Sequence, residues 1–506
     1  MLTMARIERN PVAAAENEYD LIVVGGGIYG AALTLESARR GLKPLLLERD
    51  DFGGATSWNS LRIVHGGLRY LQQLDLTRMR ESIRERRWYR RCFPDLVTPL
   101  ACLMPLYGRG LRRPSVFRLA LGINDWMSRQ DHDDGRFLAG RVLDVAETIE
   151  YFPAVDRAGL VGGALWYDAV MPSSSRVVIE ILRWAAGCGA TSLNYVEGRE
   201  LLLDAERVTG VAAADRETSE RRTFRAPVVV NCAGPWSREL AATFGHDAPA
   251  LFRPALAFNL LLDRAPLSAA ALAVAPKRSA ARTYFLVPWR GRILAGTYHV
   301  PWTGAVESPR PDPRDIARML DDLNAAVDTL SLTSSDVLQV HAGLLPAANE
   351  KDGTVAARPK IVEHGPDGLF SVAGVKFTTA RSVAEQTLKR IFANRLTEPP
   401  SPPPMQDRHA SLNALSGALD TKSHDDDLRR LAEDEAVVHL DDLFLRRGDW
   451  VDCHEQVRRA APSVCVALGW DAARTALEID RLDRALDAHA GVVSDTVPAD
   501  VKAGHA

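Results

Sequence analysis

The chain has little cysteine and no long apolar run, and each shortage narrows what it can be. Its 506 residues hold six cysteines, Cys92, Cys102, Cys188, Cys232, Cys453 and Cys465, with no Cys-x-x-Cys pair. That spacing offers neither a metal framework nor a disulfide ladder, and it favours a reducing, cytoplasmic compartment. The longest apolar stretches, residues 116–123 and 267–276, are too short to cross a bilayer. The first residues carry charges without an apolar core, so no secretory signal is read there. Any membrane contact is therefore expected to be peripheral. The net charge of -3 has no strong sign, and no nucleic-acid-binding motif is present, so no nucleic-acid partner is expected. Hydrophobic content of 46% and charged content of 25% describe an ordinary globular chain. Its length exceeds one domain and predicts two or three units.

What is present begins with DLIVVGGGIYG, residues 20–30. A short apolar run is followed by Gly25-x-Gly27-x-x-Gly30 and then by AALTLESARRGL, which has the pattern of a helix. The first glycine permits a tight turn, the second lets backbone approach a pyrophosphate, and the third lets helix pack on strand. Unpaired N–H groups at the helix start then face the phosphates. The next apolar run, PLLLE, ends in Glu48, about 20 residues on, where a ribose-binding acid belongs. The alternative is a glycine-rich turn in some other α/β protein.

Residues 1–18 read as a loose leader, and residues 19–66 as a βαβ unit with its loop. A helix is expected from residue 176, a strand at ERVTGVAAA and a buried strand at APVVVNCAG. Between residues 250 and 300 the alternation in FNLLLD, TYFLVPW and RILAGTYH reads as antiparallel sheet. A strand, a glycine turn and a helix return in residues 335–395. EPPSPPP, residues 398–404, reads as a stiff linker to a polar helical end. Nucleotide-binding elements interleaved with a second sheet suit flavoproteins better than simple NAD dehydrogenases.

Four further segments carry a family likeness: residues 53–86 (GGATSWNSLRIVHGGLRYL onward), VVVNCAGPWS at 228–237, RTYFLVPWRGRILAGTYH at 282–299 and GLFSVAGVKFTTARSVAE at 368–385. Together the chain resembles the FAD-dependent glycerol-3-phosphate dehydrogenases, within the D-amino-acid-oxidase-like flavoproteins. The resemblance runs over about residues 19–393 and continues weakly at AVVHLDDLFLRRGDW. It implies an α/β fold with a Rossmann-type FAD-binding domain, an interleaved antiparallel-sheet substrate domain and a C-terminal helical cap. The FAD-binding segments would be about 19–66, 170–245 and 335–393, the substrate domain about 67–169 and 246–334, and the helical domain 405–506.

The resemblance also implies non-covalent FAD. Its pyrophosphate would sit on Gly25, Gly27 and Gly30, with Glu48 on the adenosine ribose. Thr56, Ser57 and Ser60 would line the flavin side, and Arg62 stands where the family often carries lysine. His65 would lie near the ring; the alternative is a buried structural histidine. Ala233 and Gly234 would close the nucleotide site, and Gly374, Lys376 and Thr378 would meet the pyrimidine end of the flavin. Cations or a helix N-terminus there stabilise negative charge on the ring. On the substrate side the resemblance points to Arg69 and Tyr70, and more loosely to Arg358.

Two departures stand out. The family's Gly-x-Arg-Pro element reads HAGLLPA here, residues 341–347, so Leu345 takes the arginine position. The family's KGxH histidine is matched by Asn259 in ALAFNLLLD. Leucine cannot bind phosphate, and asparagine cannot act as a base near neutral pH. Either the divergence is tolerated or the substrate differs from glycerol 3-phosphate. His341 is a candidate replacement base, with packing as its other reading.

Residues 78–91 hold seven arginines with apolar residues at helical spacing, and residues 109–129 combine arginines with LALGI. Each is either a lipid-facing amphipathic helix or a helix packed on the core. Quinone and oxygen are both open as electron acceptors, and the oligomeric state is open. The expected activity is oxidation of a small hydroxylated substrate, phosphorylated or not, by hydride transfer to FAD. Two other readings stay open: an amine or amino-acid oxidase of the same fold, and a flavin-bound non-catalytic partner acting through its helical end.

Overall fold

The computed structural model describes residues 5–71, 75–108, 113–129, 138–277, 282–349, 351–399, 425–448, 450 and 452–489, without the side chains of Arg69, Leu71, Asn394 and His489. The linker beyond residue 399 lies outside the described residues.

The runs LIVV and PLLL form strands Leu21–Val24 and Pro44–Leu47, buried at every position. Burial on both faces explains why they do not alternate. They pair in parallel, Ile22 beside Leu45, and the helix Ile28–Ala38 makes the crossover. The sheet has six strands in the order Lys360–Glu363, Leu369–Ala373, Val229–Asn231, Leu21–Val24, Pro44–Leu47 and Thr191–Leu193. Its edge strand Lys360–Glu363 is antiparallel and the other pairs are parallel.

A ten-stranded sheet lies beside it. It runs from Thr354–Val355 through Val337–Asn349, Pro254–Leu262, Arg292–Pro301, Tyr284–Trp289, Ala271–Val274, Thr98–Leu106 and Gly162–Val170 to Ile63–Val64, with Arg141–Leu143 also on Gly162–Val170. All its pairs are antiparallel except Ala271–Val274 on Thr98–Leu106. Alternate residues such as Leu256, Phe258 and Leu286 share a core with Ile316, Met319 and Leu323 of the helix Pro313–Ala326. Helices Asp425–Asp434, His454–Ala467 and Ala472–His489 form a helical end with its own core. The architecture is the mixed α/β, flavoprotein-like one that the sequence led us to expect, with a helical C-terminal region.

Two local expectations need correcting, and one open alternative is decided. Residues 5–18 are not loose: Ile7 is buried, its N–H donates to Asp434 O at 2.8 Å, and Arg9 pairs with Asp215. The strand Val337–Asn349 and the short strand Ile63–Val64 belong to the large sheet, not to the nucleotide-binding sheet. Of the two readings left open for the helix Leu76–Cys92, the structure favours packing on the core: Met79, Ile83, Glu85, Arg86 and Arg90 are all buried. Arg86 looks inward because a carboxylate awaits it, meeting Asp168 at 3.1 Å, while Arg80, Arg84 and Arg91 stay exposed. Among the described residues no helix is long and apolar enough to cross a membrane.

Candidate active site

One cavity of about 1790 Å³ runs from Glu48 to Lys376 along the junction of the two large sheets. Its nucleotide end is built by the glycine turn. Gly25 has φ +111°, and a Cβ there would stand 2.6 Å from Cys232 O on the neighbouring strand. A Cβ on Gly30 would stand 1.8 Å from Gly25 O, so the helix cannot close on the turn with any larger residue. Gly27 differs: the one atom near its Cβ position is Ser57 Oγ at 3.2 Å. Its missing side chain leaves space that belongs to the cavity. The Ile28 N–H donates to Ser57 Oγ at 3.0 Å.

Glu48 accepts from Gly26 N at 2.6 Å and from Asp50 N at 2.8 Å. Burial pushes its carboxyl up to about 7, with the nearby Asp50 charge adding to the shift. Ala233 and Gly234 face it from the second strand end, and a Cβ on Gly234 would meet nothing within 4 Å.

At the far end, the Thr56 hydroxyl donates to Leu344 O at 3.2 Å, fixing this loop on the large sheet. Ser60 Oγ lies on the cavity wall and accepts from Arg62 N at 3.2 Å. Gly374 is needed for contact: its Cβ would fall 1.9 Å from the Tyr29 ring. The Tyr29 hydroxyl accepts from Val375 N at 2.9 Å and Lys376 N at 3.0 Å, and donates to Lys376 O at 2.7 Å. One side chain thus clamps the turn that carries Lys376. The Lys376 ammonium donates to Tyr70 Oη and also lies 4.4 Å from the Tyr70 ring centre. The His65 ring meets Tyr70 edge-on at 5.9 Å. Lys376, Tyr70 and His65 therefore share one wall.

Other expected residues stand elsewhere. Arg62 does not line the cavity; it is buried against Asp452 of the helical end and over the Trp289 ring. Thr378 is buried in the turn Phe377–Thr379, behind the wall. Arg358 is exposed and outside the lining, near Asp75. His341 is buried beside Trp58 and Asp452, outside the cavity lining, and burial lowers its pKa to about 4. Leu345 lines the cavity where no cation replaces it on that strand. Asn259 also lines it, but its amide is spent: Nδ2 donates to Asn59 O at 3.4 Å and Oδ1 accepts from Thr297 at 2.9 Å. The Arg69 side chain lies outside the described residues.

Sequence reasoning missed Tyr29, Asp168 and Arg282. Asp168 lines the cavity and accepts from Gly66 N at 2.6 Å and Trp166 Nε1 at 2.9 Å, besides Arg86. Nothing in the spacing of Asp168 announced this. Tyr29 and Arg282 lie inside quoted motifs, and the signal available was their place there.

Cavities for small ligands commonly measure about 300–1,000 Å³, so this one has room for a dinucleotide and a substrate together. The open side of Gly27, the free space at Gly234 and the hydroxyls of Ser57 and Ser60 fit FAD. Residues 20–390 match the family model described as FAD dependent oxidoreductase. The chain belongs to the FAD-dependent oxidoreductases, and its cofactor is FAD. Within that family, the glycerol-3-phosphate dehydrogenase of Synechocystis sp. is 30% identical over 462 residues, which is 87% of this chain and 82% of that protein. The aerobic glycerol-3-phosphate dehydrogenase of Staphylococcus aureus is 29% identical over 378 residues, 74% of this chain and 67% of that protein. The fold is similar to the X-ray structure of glycerol-3-phosphate dehydrogenase from Bacillus halodurans complexed with FAD. The TM-score is 0.67 at 22% identity, covering 95% of this chain and 96% of that one.

Proposed function

We propose that the protein oxidises the CH–OH carbon of a small substrate, glycerol 3-phosphate or a close chemical relative. The observation that carries the reading is the wall shared by Lys376, Tyr70 and His65 at the end of the cavity opposite the glycine turn. Bound FAD supplies the ring that accepts a hydride.

The chain's own groups do the rest. Gly25, Gly27, Gly30 and the helix start at Ile28 are proposed to hold the pyrophosphate. Glu48 would take the adenosine ribose, since each carboxyl oxygen keeps a lone pair beyond its present bond. Ser57, Ser60, Ala233, Gly234 and Gly374 would line the cofactor, with Thr56 bracing their loop. Lys376 places positive charge beside the ring. Tyr70, with Arg69, would orient the substrate. His65 is proposed to receive the hydroxyl proton, because imidazole titrates nearest neutral pH.

The loss of an arginine at Leu345, with Arg358 exposed, favours a second reading: a C–N bond is oxidised instead. The test is anaerobic mixing of the flavin-loaded protein with sn-glycerol 3-phosphate, following flavin absorbance. Rapid bleaching supports CH–OH oxidation. Bleaching by amines and amino acids alone would establish the second reading and end the first.

We also propose a cytoplasmic protein that touches an anionic membrane surface through the helix Pro114–Met127. Leu119 and Trp126 are 67% and 63% exposed there, beside Arg113 and Arg118. Phe117, on the inner side of the same helix, lines the cavity, which suits a quinone arriving from lipid better than oxygen.

A further inference from the structure

We infer that Arg282 is the anion-binding residue of the substrate site, replacing the arginine that Leu345 has displaced. Its Nη1 is buried and has no hydrogen-bond partner. Buried polar groups are paired in the large majority of cases, so an orphaned guanidinium nitrogen on a cavity wall calls for a ligand. Among the described residues no carboxylate pairs with it. Its Nη2 donates to His299 O at 3.3 Å.

The guanidinium is held in place from below. It lies 4.2 Å from the Tyr298 ring centre. Tyr298 stacks on Tyr284 at 6.4 Å with an 11° tilt, and the Tyr284 hydroxyl donates to Asp322 at 2.7 Å. A fixed, stacked fork with one donor to spare suits a phosphate or carboxylate oxygen. A lysine at this position could neither stack in the same way nor keep one nitrogen on His299 O.

The position also makes sense against Leu345. Leu345 pairs with Ala255, and His299 with Ala257, two residues along the same strand. Residues two apart point to one face. Arg282 and Leu345 both line the cavity, from opposite sides of the strand Pro254–Leu262. The oxyanion is recognised in that cavity by a cation drawn from the segment just before the strand Tyr284–Trp289. The shared chemistry is an oxyanion, borne by a phosphate ester or by a carboxylate.

This inference rests on the proposed CH–OH oxidation for its substrate but not for its test. Flavin-loaded wild type, Arg282→Met and Arg282→Lys are compared in two ways. First, flavin reduction by sn-glycerol 3-phosphate and by uncharged glycerol is followed without oxygen. Arg282→Met should raise KM for the phosphate ester roughly tenfold or more, the loss expected for one charge-assisted bond, with little change in the limiting rate. Reduction by glycerol should hardly change, and Arg282→Lys should fall between. Second, inorganic phosphate and acetate are titrated separately into the oxidised holoprotein, and the shift of the flavin band reports binding. Loss of that shift in Arg282→Met supports the assignment, and whichever anion binds more tightly names the source. Failure of every donor to reduce wild type would sink the proposed function alone. Equal phosphate and acetate binding by wild type and Arg282→Met, or none by wild type, overturns the role of Arg282.

Discussion

Arg62 and Asp452 meet in two hydrogen bonds, Nη1 to Oδ2 at 3.0 Å and Nη2 to Oδ1 at 3.2 Å, with both side chains almost wholly buried. Arg62 lies two residues after Ser60 on the cofactor loop, in the left-handed region at φ +65°. Asp452 belongs to the helical end and also accepts from Trp289 Nε1 at 2.7 Å. The pair therefore bolts the loop that lines the cavity to the C-terminal helices. Removing one partner of a buried ion pair commonly costs about 3–5 kcal/mol, because the other charge stays buried alone. Asp452→Asn keeps the shape and loses the charge. It should lower the melting temperature and speed flavin release, both readable from flavin fluorescence on heating. An unchanged melting curve would show that the bolt carries no load.

The pH dependence of stability should carry the mark of His341. Burial, aided by the Arg62 charge, holds its pKa at about 4 in the folded state, against 6.5 for an ordinary histidine. The folded protein therefore disfavours the protonated ring, and the unfolded chain binds the extra proton. Stability from this group is complete above pH 6.5 and falls as pH drops toward 4, by up to about 3 kcal/mol. Glu48 acts with the opposite sign. Its raised pKa stabilises the folded state below 4.5 and that contribution fades as pH rises to about 7. Urea unfolding across the acid window should show His341→Gln with a flatter profile than wild type. If both slopes match, His341 is not buried as described.

Two glycines of the same turn should fail differently. Gly30→Ala forces a Cβ into Gly25 O at 1.8 Å, so the turn itself must open and the protein should be destabilised whether or not flavin is added. Gly27→Leu meets only the Ser57 hydroxyl near its Cβ, so the fold should survive while its side chain fills the cofactor space. Circular dichroism and bound-flavin absorbance separate the two outcomes. Stoichiometric flavin in folded Gly27→Leu would undo the assignment of this turn to the pyrophosphate.

The parts of the fold that were legible in the sequence are those with local causes. The glycine turn, the buried runs LIVV and PLLL and the alternation around residues 284–300 each follow from spacing within a few residues. What stayed hidden depends on partners far along the chain. Arg62 reads as a cofactor-side cation until Asp452, some 390 residues away, claims it. Arg86 of the helix Leu76–Cys92 reads as part of a solvated face until Asp168 is seen beside it. Tyr29 looks like one more residue in a glycine-rich motif, because its three backbone partners come from residues 375–376. Buried charges obey pairing, and pairing over such distances has no periodicity to read.

The same charge pairs govern what can be exchanged in this protein over time. Asp51 is matched to Arg446 and Arg447, Arg176 to Glu435 and Arg62 to Asp452, and the Tyr195 hydroxyl donates to Asp442; in each case one member lies before residue 200 and the other after residue 430. Trp58 of the cofactor loop is packed inside the helical cluster. A lineage that lost or swapped its C-terminal helices would inherit a set of orphaned buried charges. The two ends of the chain are thus bound to descend together, and grafting the helices from a distant cousin would fail unless its cofactor loop came with them.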